Sequence, residues 1–142
     1  MKNLNYLLGI DFGGGASKAT LLSAEGEIIA ENTVEYPTLH PFAGACEQRP
    51  EDWMAALQQN TKAILQKSGI LPAQIACVAL DSATHTAVLC DEAKRPLRPA
   101  IHWTDSRSIR QAQKLREPGM EWITHLAYHK PDPIWTLPQL LW

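Results

Sequence analysis

Apolar and polar positions at the start of the chain alternate between short apolar runs and turn residues. Residues 6–11 are apolar and end at a carboxylate, Gly13-Gly14-Gly15 interrupts, and residues 19–22 resume the apolar run before the turn pair Glu25-Gly26. Residues 28–36 read as a third strand. Three strands in tight succession predict an antiparallel meander, unlike the strand-then-helix opening of a dinucleotide-binding fold. The first helix is marked by Pro50 at its first position, by Glu51 and Asp52 where the helix dipole favours acids, and by Trp53, Leu57 and Ile64 on one face; Ser68-Gly69 stops it. Residues 75–80 form a continuous apolar run, read as a strand buried on both faces. Residues 86–89 read as a second short strand ending at Asp91-Glu92. After a short apolar stretch at 100–103, Thr104 or Asp105 is placed to cap a helix carrying Ile109, Ala112 and Leu115, which Pro118-Gly119 ends. Residues 120–142 read as a loop entering a last short helix, so the chain is expected to stop inside an element. The order of elements is that of an α/β or α+β protein with a mixed sheet.

Composition narrows the function classes. A chain of 142 residues with 45% hydrophobic and 20% charged residues is the size of one ordinary domain. A net charge of −2 without a dense Lys/Arg cluster argues against nucleic acid as a partner. The N-terminal apolar run is interrupted by Asp11 and too short for a signal core, and nothing approaches the roughly 20 apolar residues of a membrane span, so a cytoplasmic protein without a membrane partner is expected. Cys46, Cys77 and Cys90 lack CxxC spacing, and Cys77 and Cys90 lie in apolar runs, which predicts reduced, mostly buried thiols.

The Gly-rich connection is the first candidate for chemistry. Glycines between two strands let the backbone approach a ligand, and successive N–H groups there can form an anion-binding concavity. Asp11 is placed to hold Mg²⁺ through its water shell beside the phosphates, and Lys18 adds a positive charge. A flexible hairpin with Asp11 as a turn residue explains the same glycines. The loop is not a Walker A motif, because GxxxxGK[ST] is absent.

Gly9-Ile10-Asp11-Phe12-Gly13-Gly14-Gly15-Ala16-Ser17-Lys18 resembles the first phosphate motif of the sugar-kinase, heat-shock chaperone and actin superfamily, D-x-G-T/S-x-x-x-K/R, with Gly14 where Thr or Ser is common. Three further stretches resemble the FGGY carbohydrate kinases and follow that family's order. Glu47-Gln48-Arg49-Pro50-Glu51-Asp52-Trp53 is similar to E-Q-x-P-E-x-W, and the block from Arg95 through Trp103 to Arg107 is similar to P-L-R-P-A-I-x-W-x-D-x-R. Pro138-Gln139-Leu140-Leu141-Trp142 is similar to P-K-L-L-W, with Gln139 in place of Lys. The xylulokinase class is the nearest resemblance, because His85 matches the His of its Met-His pair for the ketose, with Thr84 in place of the Met, where glycerol kinases have Arg-Glu.

The resemblance implies a ribonuclease-H-like, actin-type ATPase lobe, the N-terminal domain of a two-lobed kinase that uses ATP and Mg²⁺. It implies Asp11 as the Mg²⁺- and phosphate-positioning residue, with Gly13, Gly14, Gly15, Ala16, Ser17 and Lys18 around the phosphates. On the acceptor side it implies Thr84 and His85 at the sugar. Neutral His85 both donates and accepts, which suits a polyol. Trp103 offers an apolar face to sugar C–H groups and Asp105 an acceptor, though a core residue and a helix cap explain these two as well. His40, His102, His125 and His129 show no metal-ligand spacing. The family's catalytic aspartate lies beyond the matched region, so the chain, read as truncated with its second lobe absent, is expected to be inactive alone. Oligomeric state is open, a homo-oligomer included. The alternative is a non-catalytic relic or regulator of the same fold; a repressor would place a helix-turn-helix ahead of the hairpin, which begins almost at Met1.

Overall fold

A computed structural model describes residues 6–127 and 129–142. The first five residues, part of the signal-core reading, lie outside the described residues. The chain forms two compact units, one comprising the residues up to Pro37 with Glu51–Ala83, the other Thr38–Pro50 with Thr84–Trp142.

In the first unit, β1 (Tyr6–Phe12), β2 (Ala16–Ser23) and β3 (Ile28–Glu35) form the expected antiparallel meander. Helix α1 (Pro50–Ser68) then leads to β5 (Ile75–Ser82), which pairs in parallel with β1 to give the mixed order β3-β2-β1-β5. Strand alternation sends Leu8 and Ile10 of β1 and Ala19 and Leu21 of β2 to one face, where Ala30 and Ile64 of α1 complete a buried cluster. The helix face turned inward runs through Ala56, Asn60 and Ile64. Asn60 is polar and fully buried, and its amide is satisfied at both ends: Nδ2 donates to the Ser17 carbonyl at 3.0 Å and Oδ1 accepts from Asn32 Nδ2 at 2.9 Å.

The apolar run at 75–80 is a strand, but it is not buried. Val78 is 53% and Leu80 64% exposed, because β5 is the sheet's edge and nothing among the described residues covers it. Cys77, on β5, is exposed for the same reason; Cys90 is exposed as well, and the buried thiol is Cys46.

In the second unit, a two-residue ladder joins β4 (Glu47–Gln48) to β6 (Ala100–Ile101). Residues 86–89 form no strand; Ala87 makes only an isolated bridge to Ile101. Three short helices follow: α2 (Ile109–Lys114), α3 (Glu121–Ala127) and α4 (Thr136–Leu141). Helix α3 replaces the loop expected at the start of the last stretch. The N-cap of α2 is Ser108, later than Thr104 or Asp105, because Asp105 is drawn inward to Arg107. Gly44 is needed where it stands: its φ is +82° and a Cβ there would lie 3.0 Å from Ser106 Oγ. No helix among the described residues is long and apolar enough to cross a membrane.

Candidate functional site

The sheet of the first unit has one face on α1 and one face open, and the ladder register decides which side chains share the open face. Gly9 lies opposite Thr20 and beside Ala79; one step along, Asp11 lies opposite Lys18 and beside Asp81. These six residues form two rows across β2, β1 and β5, and they line an open depression of about 290 Å³ together with Ile10 and Leu80. Gly9 and Ala79 give it a low floor, while charges ring the end near the Gly-rich hairpin. Asp11 is exposed and makes no ion pair among the described residues. Lys18 instead holds Glu31 Oε1 at 2.9 Å. That hydrogen bond, then the charge of Lys18, then the Thr20 hydroxyl keep the Glu31 carboxyl below its ordinary pKa.

Asp81 was not singled out in the sequence, where it appears as one more residue near a strand end. Only the parallel pairing of β5 with β1, which a single sequence does not display, brings it beside Asp11. Ser17 departs in the other direction. Its side chain is fully buried on the α1 side, with the hydroxyl lacking a partner among the described residues, so it shares only its backbone with the turn.

The hairpin itself is closed by Gly13 N–H donating to the Ala16 carbonyl at 2.9 Å. A Cβ at Gly13 would press on the Ala16 carbonyl at 3.3 Å and lie 3.8 Å from Asp11 Oδ2, whereas one at Gly15 would meet nothing within 4 Å. Behind the turn sits Tyr36, buried, its hydroxyl donating to Gly13 O at 2.6 Å with Ala16 O at 3.1 Å. Burial, and behind it the Asp11 charge, hold this phenol above its usual pKa. The donor set fits a hydrated Mg²⁺ and phosphates: hard carboxylate oxygens at Asp11, a cation at Lys18, and a turn whose outer side carries no Cβ at Gly15.

The acceptor-side residues belong to the second unit. Thr84 and His85 are both exposed. His85 adopts φ 55°, stacks on Trp135 at 5.0 Å, and places Nδ1 3.4 Å from Thr136 Oγ1. The His129 ring packs on Trp135 from a second direction, at 5.1 Å. Trp135 lies in the stretch read as a loop, and no spacing in the sequence flags it. Trp103 is 42% exposed, its ring tilted against His102.

Asp105 has different surroundings. It is fully buried, accepts from the Cys46 amide at 2.6 Å and from Arg107 Nε at 2.9 and 2.8 Å, and pairs with Arg107 Nη2 at 2.7 Å. Arg107 also reaches Glu47 at 2.8 Å, and Arg98 reaches the same carboxylate oxygen at 2.6 Å. The Arg107 guanidinium lies over the Trp142 ring at 4.8 Å. Burial opposes the Arg107 charge, but the hydrogen bonds and charges of Asp105 and Glu47 outweigh it and raise its pKa. The three downstream motif blocks therefore meet at one guanidinium. Beside this cluster, burial lowers the His102 pKa, with the Asp105 charge opposing and His40 adding to the shift. Its Nδ1 faces Thr104 Oγ1 at 2.8 Å and Cys46 Sγ at 3.4 Å. Among the described residues, no group of three or more His, Cys, Asp and Glu side chains is placed to hold a metal.

Comparison with known proteins gives the family. The sequence model described as "FGGY family of carbohydrate kinases, N-terminal domain" matches residues 6–142. The xylulose kinase of Bacillus subtilis (strain 168) is 30% identical over 139 residues, which are 98% of this chain and 28% of that protein. The gluconokinase of the same organism is 34% identical over 113 residues, 80% of this chain and 22% of that protein. The solved structure of a xyloylose kinase from Brucella ovis superposes with a TM-score of 0.91 at 28% identity, covering 96% of this chain and 28% of that one. The chain thus spans less than a third of these proteins' length.

Proposed function

Because the chain belongs to the FGGY family of carbohydrate kinases through its N-terminal domain, we propose that it supplies the phosphate-facing lobe of an ATP-dependent sugar kinase. The observation that carries this reading is the open-face constellation of Asp11 and Lys18 beside the Gly-rich hairpin. Asp11 orients Mg²⁺ through its water shell, the backbone of residues 13–17 (Gly13, Gly14, Gly15, Ala16 and Ser17) faces the phosphates, and Lys18 leaves Glu31 to meet their charge. Mg²⁺-ATP, when bound, supplies the transferable phosphoryl group and neutralises its developing charge.

On the acceptor side, Thr84, His85 and Trp103 receive a small ketose or polyol, xylulose foremost. Kinship with both xylulose and gluconate kinases supports an open-chain polyhydroxy acceptor as the class. Asp105 serves this side from below, by fixing Arg107 and the segment that carries Trp103. The aspartate that accepts the hydroxyl proton belongs to the part of the family's length this chain does not span, so the chain is inactive alone.

An ATP-consumption assay with D-xylulose, L-xylulose and D-ribulose tests both halves. This chain alone is expected to show no ketose-dependent turnover. Joined to the part of the Bacillus subtilis xylulose kinase beyond its matched stretch, it is expected to consume ATP when a ketose is present. Turnover by the chain alone that disappears in Asp11→Ala would refute the inactivity and keep the kinase; a joined protein that folds and binds neither ATP nor ketose would refute the kinase.

A further inference from the structure

Tyr36 is not among the residues lining the depression, yet it is hydrogen-bonded to the Gly-rich hairpin from behind. Its backbone N–H donates to the Gly15 carbonyl at 3.0 Å, and its hydroxyl donates to the Gly13 carbonyl at 2.6 Å, with the Ala16 carbonyl 3.1 Å away. One residue just past the end of β3 therefore donates to two of the turn's carbonyls and lies beside a third. Fixing those carbonyls fixes the peptide planes of the turn, and with them the shape it presents beside Asp11 and Lys18. Glycine lets a turn take many shapes, so a bond from outside it helps to select one.

We propose that Tyr36 is the positioning residue of the phosphate site, the clamp that holds the shape of the Gly-rich hairpin beside Asp11 and Lys18. The inference rests on the phosphate-site reading and adds to it a residue that touches no ligand. It also gives a turn with Gly14 in place of a hydroxyl-bearing residue a second ordering donor, from outside the turn.

Tyr36→Phe keeps the ring in its buried place and removes only the hydroxyl. Two measurements on the whole chain decide the matter. Amide hydrogen exchange, followed by NMR, is expected to quicken at Gly13, whose N–H closes the turn, while Leu21 in the core of β2 keeps its wild-type rate. Mg²⁺-ATP titration is expected to show binding about three- to tenfold weaker, the equivalent of one lost hydrogen bond. A merely structural role would move Leu21 exchange and Gly13 exchange together; that result overturns the proposal. Unchanged exchange at Gly13 overturns the clamp, and undiminished Mg²⁺-ATP affinity alongside faster exchange overturns its bearing on phosphate. The exchange arm needs no nucleotide, so a wild-type chain that fails to bind Mg²⁺-ATP refutes the phosphate-site reading while exchange at Gly13 still judges the clamp.

Discussion

Asp105→Ala is expected to destabilise the unit formed by Thr38–Pro50 and Thr84–Trp142 by about 3–5 kcal/mol, the usual cost of removing one partner from a buried ion pair. Arg107 is the reason. Its side chain is 1% exposed, and without Asp105 its remaining carboxylate partner is Glu47, which Arg98 already shares. The Cys46 amide loses its acceptor at the same time, and a buried N–H without a partner adds to the cost. Asp105→Asn retains an acceptor of the same shape and is expected to cost less. Urea unfolding followed by tryptophan fluorescence reads this directly, because Trp103, Trp122, Trp135 and Trp142 all lie in this unit. A shift below about 1 kcal/mol, in the range of ordinary surface substitutions, would show that Asp105 is no anchor and would return it to the sugar-facing role.

Asp11→Ala is expected to do the reverse. In the protein completed by the missing part of a family kinase, turnover is expected to fall about 10²–10³-fold, the scale of losing one preorganised electrostatic group at a charge-developing centre. Folding stability is expected to change by no more than about 0.5 kcal/mol, as for other exposed positions. The contrast follows from the surroundings. Asp11 is exposed and has no ion pair among the described residues, and its ladder neighbour in β5 is a second carboxylate, Asp81. Removing the charge relieves a like-charge pairing and breaks no buried bond. Steady-state kinetics beside urea unfolding of the same variant checks both halves; full activity in Asp11→Ala would remove Asp11 from the mechanism.

These two aspartates also mark how far the sequence could be read. The meander, α1 and the Gly-rich turn were legible because each is local: alternation, a proline at the helix start and glycines between strands act over a few residues. Asp11 and Lys18 were legible for the same reason, being opposite each other across one hairpin. Asp81 was hidden because it reaches Asp11 only through a parallel pairing across α1. The run at 75–80 was read as buried from its composition, and composition cannot say whether a cover lies within the chain at hand. Residues 86–89 were read as a strand from apolar residues alone, although Pro96 and Pro99 nearby limit what pairing the segment can make. The motif blocks around Glu47, Asp105 and Trp142 were read as one family's signature, and their shared physical purpose, the burial of Arg107, appears only when three distant segments converge.

The most direct test of the phosphate-facing lobe is an NMR titration of the uniformly ¹⁵N-labelled chain with Mg²⁺-ATP. Amide shifts are expected to concentrate at residues 11–18, to depend on Mg²⁺, to be absent in Asp11→Ala and to be retained in His85→Ala. Shifts that leave residues 11–18 untouched, or that persist unchanged in Asp11→Ala, would contradict the phosphate-facing assignment.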